Sequence, residues 1–328
     1  MITVNKKKEE LPVIKADKKK KEKKGAVAAL TGSIYWRQRY LLLMLLPALA
    51  YFVIFHYIPL YGVTIAFKDY KFTEGILGSA WVGLKHFRRL FALESFWQVF
   101  KNTLVISLWK FLVGFPAPII FSLILNEVIS SKFKKCVQTI SYLPHFVSWV
   151  VLGGILTQLL SPSTGPVNII IKALGFDPIY FLADSRYFRG VLVVSHVWKS
   201  IGWGSIVYLA ALTTSDQQVH EAAMVDGANR FQRIIHITIP EIMPVITIML
   251  ILAVGGLIND DFDQVFNLYN TAVYDVGDVL STYTYRAGLV NLEYSFATAV
   301  GLFKNIISVI LVLSTNMICR KINDYGIW

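Results

Sequence analysis

Apolar positions along this chain fall into long unbroken runs rather than alternating or amphipathic stripes. Six segments reach the roughly 20 mostly apolar residues that a bilayer-spanning helix needs. The first starts near Tyr40 (YLLLMLLPALAYFVIFHYIPLYGV), and the second covers about 102–127. The third, 139–160, is TISYLPHFVSWVVLGGILTQLL, and the fourth covers about 190–212. The fifth covers about 242–262 and the sixth about 296–318. Pro47, Pro59, Pro116, Pro118, Pro144 and Pro244 sit in or near these runs. Membrane helices accept such breaks when neighbours satisfy the freed carbonyls. The expected fold class is therefore all-α integral membrane. A cleavable leader is the rival reading of the first run, but about 39 residues precede it and no small-residue cleavage site follows.

The polar connections differ in character. Residues 68–101 interleave Trp81, Phe87, Phe91, Phe96 and Trp97 with basic residues, a pattern that predicts an interfacial helix lying on the bilayer. Residues 161–189 open with the turn cluster SPSTGP. The segment 213–244, TTSDQQVHEAAMVDGANRFQRIIHITIPEIMP, is too polar to span and too patterned for a plain linker. Ser215 or Asp216 can cap a first helix, and Gly227 should end it. Phe231, Ile234, Ile235 and Ile239 then form the apolar side of a second helix, expected to stop at Pro240. A short helix–turn–helix lying across one membrane face presents a rigid knob to a partner.

Composition agrees with lipid as the main solvent. Of 328 residues, 55% are hydrophobic and only 16% charged, whereas a soluble domain carries about a quarter charged. The net charge of +11 belongs mostly to a tail. Residues 1–39 hold twelve Lys and Arg against four acidic residues, which reads as a solvated lysine-rich segment touching anionic lipid rather than a nucleic-acid-binding face. With the N-terminus inside, the inner segments carry 19 Lys and Arg and the outer ones 10. The tail and the cluster Lys132, Lys134, Lys135 decide this orientation, and six spans return the C-terminus to the cytoplasm. Cys136 and Cys319 then lie at cytoplasmic ends, where thiols stay reduced. The expected organisation is a tail at 1–39, a first helix with its external segment at 40–101, a core at 102–320 and a short tail at 321–328.

Polar side chains inside the runs mark either a cavity or internal bonds. His196, Lys199, Ser200 and Trp203 share one helix side by their spacing, and His145 and Ser148 share another beside Trp149. The fifth run ends in Asn259, Asp260, Asp261, Asp263 and Gln264; the sixth carries Lys304 and Asn305, and the second Trp109 and Lys110. We take His145, His196, Lys199, Trp203, Asp260, Asp263, Gln264 and Lys304 as candidate path residues. Aromatic faces with hydrogen-bonding groups suit sugar rings. The alternative is structural: Lys199 or Lys304 pairs with an aspartate of the fifth run, and Lys110 snorkels to the interface. Three intramembrane lysines suggest an anionic, uronate-containing cargo, and the aspartates pull against that. No nucleotide-binding GxxxxGK[ST] loop, HExxH metal spacing or nucleophile elbow is present, so neither a metal site nor catalysis is expected.

One stretch carries a resemblance. Glu221-Ala222-Ala223, Gly227, Ile237 and Pro240 match the EAA loop of binding-protein-dependent ABC importer permeases, with Ile239 where leucine is usual. WVGLKHF (81–87), FWQVFKNTL (96–104), NDDFDQVFNLYN (259–270) and TYTYRAGLVNLEYSFATAVGLFKNII (282–307) resemble the carbohydrate permeases of the MalF and especially the LplB type. The resemblance runs from about residue 40 to Trp328, and the long external insertion of the maltose type is missing. It implies a type I ABC importer fold of six transmembrane helices with cytoplasmic N- and C-termini, in a bacterial cell membrane. It implies a second homologous permease subunit, a cytoplasmic ATPase dimer that binds ATP and Mg, and an extracytoplasmic sugar-binding protein. It also implies that Glu221, Ala222, Ala223, Asp226, Gly227, Arg230 and Pro240 couple the chain to the ATPase. A secondary sugar transporter working without an ATPase is the rival class; it would show inverted repeats, and none is evident by eye.

Overall fold

The computed structural model describes residues 39–258 and 260–323. The lysine-rich tail, Asn259 and the last five residues lie outside them. The described chain divides between residues 63 and 64 into two compact units. The first unit is the greater part of helix α1 (Arg39–Phe67), every described residue of which up to Tyr61 is exposed.

In the second unit, the segment expected as one interfacial helix is instead a short hairpin followed by a helix. Strand β1 (Lys68–Asp69) pairs antiparallel with β2 (Ala80–Trp81), and α2 (Lys85–Ala92) follows. Gly75 and Gly83, at φ +65° and +60°, turn the chain in ways that a continuous helix would forbid. Then come α3 (Glu94–Asn126), α4 (Ser131–Phe146), α5 (Trp149–Leu159), α6 (Pro166–Ala173) and α7 (Ser185–Leu212). The remainder is α8 (Gln217–Val225), α9 (Arg230–Gly255), α10 (Phe262–Leu268), α11 (Leu280–Tyr285) and α12 (Tyr294–Asn323).

Among the described residues α1, α3, α9 and α12 are long and apolar enough to cross a membrane; α4 and α5 together make a fifth candidate, bent by 104°. The third run is thus broken rather than straight. Pro144 cannot continue the hydrogen-bond ladder, Val147 is extended, and the Ser148 hydroxyl accepts from Val151 N to start α5. Three carbonyls at this break accept from Lys199 of α7: Pro144 at 3.4 Å, His145 at 3.1 Å, and Val147. Lipid offers these carbonyls no donor, so the lysine stands in for water.

Helix α7 is the hub, packing on α3, α4, α5's neighbour α10, and α9. In lipid, helices approach through small side chains rather than by excluding water. Gly202 of α7 faces the backbone carbonyl of Ser141 so closely that any Cβ would overlap it, and Gly204 faces Pro118. One apolar cluster joins the C-terminal ends of α3 and α7 to the middle of α9 through Leu123, Leu125, Leu209, Leu212 and Ile242. A second gathers Leu90, Phe96, Ile258, Leu280 and Phe296 beneath the loops between α9 and α12.

Those loops are held by buried polar bonds. Asn102 donates to Asp275 O at 3.0 Å and accepts from Arg189 at 2.8 Å. Arg286 binds Asp278 through both terminal nitrogens, one at 2.8 Å. That bond raises the Arg286 guanidinium further above its ordinary range.

Candidate functional site

Two features of the folded chain invite chemistry: the elbow formed by α8 with the start of α9, and a cavity between α3, α7 and α9.

The elbow follows from local rules. The Asp216 carboxylate accepts from Gln218 N at 2.9 Å and caps α8. Gly227 adopts φ +81°. The Gly227 and Ala228 amides donate back to Met224 and Ala223 carbonyls at 3.1 and 2.9 Å, a Schellman closure. Two residues later Asn229 and Gln232 form a reciprocal capping box that opens α9. The helix does not end at Pro240, as its sequence suggested. A π turn over Ile234–Thr238 shifts the ladder, so Ile239 N donates to Ile234 O, and the ring of Pro240 enters without breaking the helix. The second arm of the elbow is therefore continuous with the fifth apolar run.

A polar clasp fixes the angle between the two arms. The Ser215 hydroxyl bonds the Glu241 carboxylate and lies 3.1 Å from His220 Nε2; His220 and Glu241 stand 3.9 Å apart. None of these three roles was legible in the sequence, because Glu241 lies a full elbow away from Ser215.

The outer side of the elbow is uncovered. Glu221, Ala222, Asp226, Gly227, Arg230 and Pro240 are exposed, and Ala223 is half-buried. Glu221 has no ion-pair or hydrogen-bond partner among the described residues. Around it Val225 is 88% exposed and Phe231 70%. Exposed large apolar side chains and an exposed carboxylate thus share the same short elbow.

The cavity encloses about 340 Å³ and is lined by Lys110, Phe111, Phe115, His196, Tyr208 and Asp261, with small and apolar residues between them. That volume is at the small end of ligand pockets. Asp261 accepts from Trp149 Nε1 at 2.8 Å and lies 3.8 Å from His196 Nδ1. Lys110 is 7% exposed, and its Nζ has no hydrogen-bond partner among the described residues, with Asp261 near enough to act on it through charge. It does not snorkel: its helix neighbour Trp109, about 100° round the helix, takes the outward position at 54% exposure.

The eight expected path residues separate into distinct places. His196 lines the cavity together with Ser200. Lys199 and Trp203, one position round the same helix, instead meet the α4–α5 break, where the Trp203 ring stacks on His145 with centroids 4.5 Å apart. The four residues thus form two adjacent rows. Asp260, Asp263 and Gln264 lie beyond the helix of the fifth run, which stops at Gly255. Asp260 binds Lys304 at 2.8 Å with both side chains mostly buried, and it accepts from Ser281 N at 3.0 Å. Gln264 is fully buried and donates to Leu192 O and Ser195 Oγ. Asp263 is exposed. Lys110 and Asp261 are the cavity groups that the candidate set lacked.

Residues 114–323 match the family described as "Binding-protein-dependent transport system inner membrane component". The chain is 42% identical to Protein LplB of Bacillus subtilis (strain 168) over 292 residues, covering 89% of this chain and 92% of that one. It is 43% identical to the polygalacturonan/rhamnogalacturonan transport system permease protein YteP of the same organism, covering 89% and 91%. Among solved structures it is similar to a bacterial ABC transporter involved in the import of the acidic polysaccharide alginate. That match has a TM-score of 0.83 at 41% identity, covering 89% of this chain and 98% of the other. A second structure holds the alginate transporter in complex with an alginate pentasaccharide-bound periplasmic protein, at 41% identity and a TM-score of 0.83, covering 90% of this chain and 99% of that one.

Proposed function

Because the chain belongs to the binding-protein-dependent inner membrane components, as a carbohydrate permease of an ABC importer, we propose that it forms one half of a path for acidic oligosaccharides. Its mate is a second permease subunit, and a binding protein delivers cargo to the outer mouth. A cytoplasmic ATPase dimer, holding ATP and Mg, closes and opens the pair. Six spans place both termini in the cytoplasm. Helix α7, which holds the fourth apolar run, is the sixth span; at 28 residues it is about 42 Å long.

The observation that carries this reading is the uncovered elbow. Glu221 offers its carboxylate to a basic residue of the ATPase, Val225 and Phe231 fill an apolar groove, and Asp226 and Arg230 set the register. Gly227 holds the angle. Since α9 runs through Pro240 unbroken, movement of the seated elbow tilts a wall of the cavity. The acidic class of cargo is supported by one relative described as a polygalacturonan/rhamnogalacturonan transport system permease and by a solved transporter involved in the import of the acidic polysaccharide alginate.

The test is ATP hydrolysis by the complete complex in liposomes, with binding protein and oligosaccharides of matched length. Uronate oligosaccharides are expected to stimulate hydrolysis several-fold over the binding protein alone. Stimulation by neutral oligosaccharides only would overturn the acidic assignment.

A further inference from the structure

We propose that Lys110 is the carboxylate receptor of the path, pairing in turn with each uronate that passes. This deepens the importer reading above and rests on it. Lys110, Lys199 and Lys304 lie well inside the long helices α3, α7 and α12, and the structure treats them differently. Lys199 gives its hydrogens to the carbonyls of the α4–α5 break. Lys304 pairs with buried Asp260 at 2.8 Å. Lys110 alone of the three is buried with an ammonium that touches no acceptor among the described residues.

A buried charge without a partner is costly, and side chains in membranes are normally arranged to avoid it. The acid nearest at hand is Asp261, which lines the same cavity. Its carboxylate already accepts from Trp149 and stands beside His196. The indole and imidazole thereby engage the aspartate, whose charge reaches Lys110 without a hydrogen bond between them, and the buried ammonium sits in the cavity wall with no acceptor among the described residues. A uronate carboxylate arriving there forms a charge-assisted hydrogen bond. A neutral sugar leaves the ammonium as it was. Phe111 and Phe115 offer ring faces for the sugar's apolar side on the same wall. Selectivity for carboxylated chains thus comes from one cation that is left without a hydrogen bond among the described residues.

The experiment compares uptake of a uronate oligosaccharide with uptake of the same oligosaccharide after reduction of its carboxyls to hydroxymethyl groups. The complete complex in liposomes is used. Lys110→Gln is expected to lower uronate uptake at least tenfold relative to the reduced chain, while Lys110→Arg keeps most of the preference. Equal losses for both chains would show that Lys110 serves only the packing of the bundle, and the proposal would fall. Should Lys110→Gln not assemble, Lys110→Cys in a Cys136→Ser background supplies the second readout. Modification with a positively charged aminoethyl thiol reagent should restore the preference for carboxylate, and a neutral methyl reagent should not. Equal recovery with both reagents would also overturn it. If wild-type complex ignores uronate chains altogether, the acidic-cargo reading itself has failed, independently of Lys110.

Discussion

Replacing Glu221 by lysine or Gly227 by valine is expected to release the ATPase subunits from the purified complex and reduce uptake about a hundredfold. Among the described residues Glu221 has no partner to lose, so its reversal leaves the fold intact and acts at the interface. Placing like charges across an interface costs several kcal/mol, and each 1.4 kcal/mol is about tenfold in affinity. Gly227 acts differently. Its φ of +81° is disfavoured for a residue bearing a Cβ by roughly 1–2 kcal/mol, and more for a β-branched one. Valine there undoes the Schellman closure and swings α8 away from α9. Asparagine, which tolerates the left-handed region, should retain most assembly. Co-purification of the ATPase with each variant, followed by uptake in liposomes, checks this. Full assembly and transport by both Glu221→Lys and Gly227→Val would remove the elbow's assigned role.

Lys304→Met alone is expected to cost about 3–5 kcal/mol of stability, because it strands a buried aspartate. Asp260 has no exposed side-chain surface, and Lys304 has 16%. The pair joins α12 to the loop after α9, where Asp260 also accepts from the Ser281 amide that starts α11. Removing one charge leaves the other uncompensated. Combining Lys304→Met with Asp260→Asn removes both charges and keeps an acceptor for Ser281. Thermal unfolding in detergent should therefore show the double variant close to wild type and well above Lys304→Met. A single variant as stable as wild type would mean that the pair holds nothing.

How much of this was readable in the sequence depends on range. The elbow was legible because its determinants are local: a capping aspartate, a glycine at the turn and apolar residues at helical spacing all lie within 25 residues. Five of the six apolar runs correspond to candidate spans because length and hydropathy are also local. Lysine assignments were not legible. Lys199 meets carbonyls 52–55 residues away, and Lys304 meets an acid 44 residues away. Spacing along one helix could not separate the row that faces the cavity from the row that faces the broken span. Helix continuity failed as an expectation at Pro240, since a π turn upstream absorbs the proline. The segment 68–101 failed as one helix because two glycines with positive φ fold it into a hairpin.

The claim on which the rest depends is that the elbow lies in the cytoplasm and is covered there by the ATPase. Val225, at 88% exposure, reports on it most directly when changed to cysteine in a Cys136→Ser chain. A membrane-impermeant maleimide should label Val225→Cys in inverted membrane vesicles stripped of ATPase, and not in intact spheroplasts. Adding back the ATPase subunits should then block the labelling. Labelling from the outside of intact cells, or labelling that the ATPase leaves unchanged, would contradict the account.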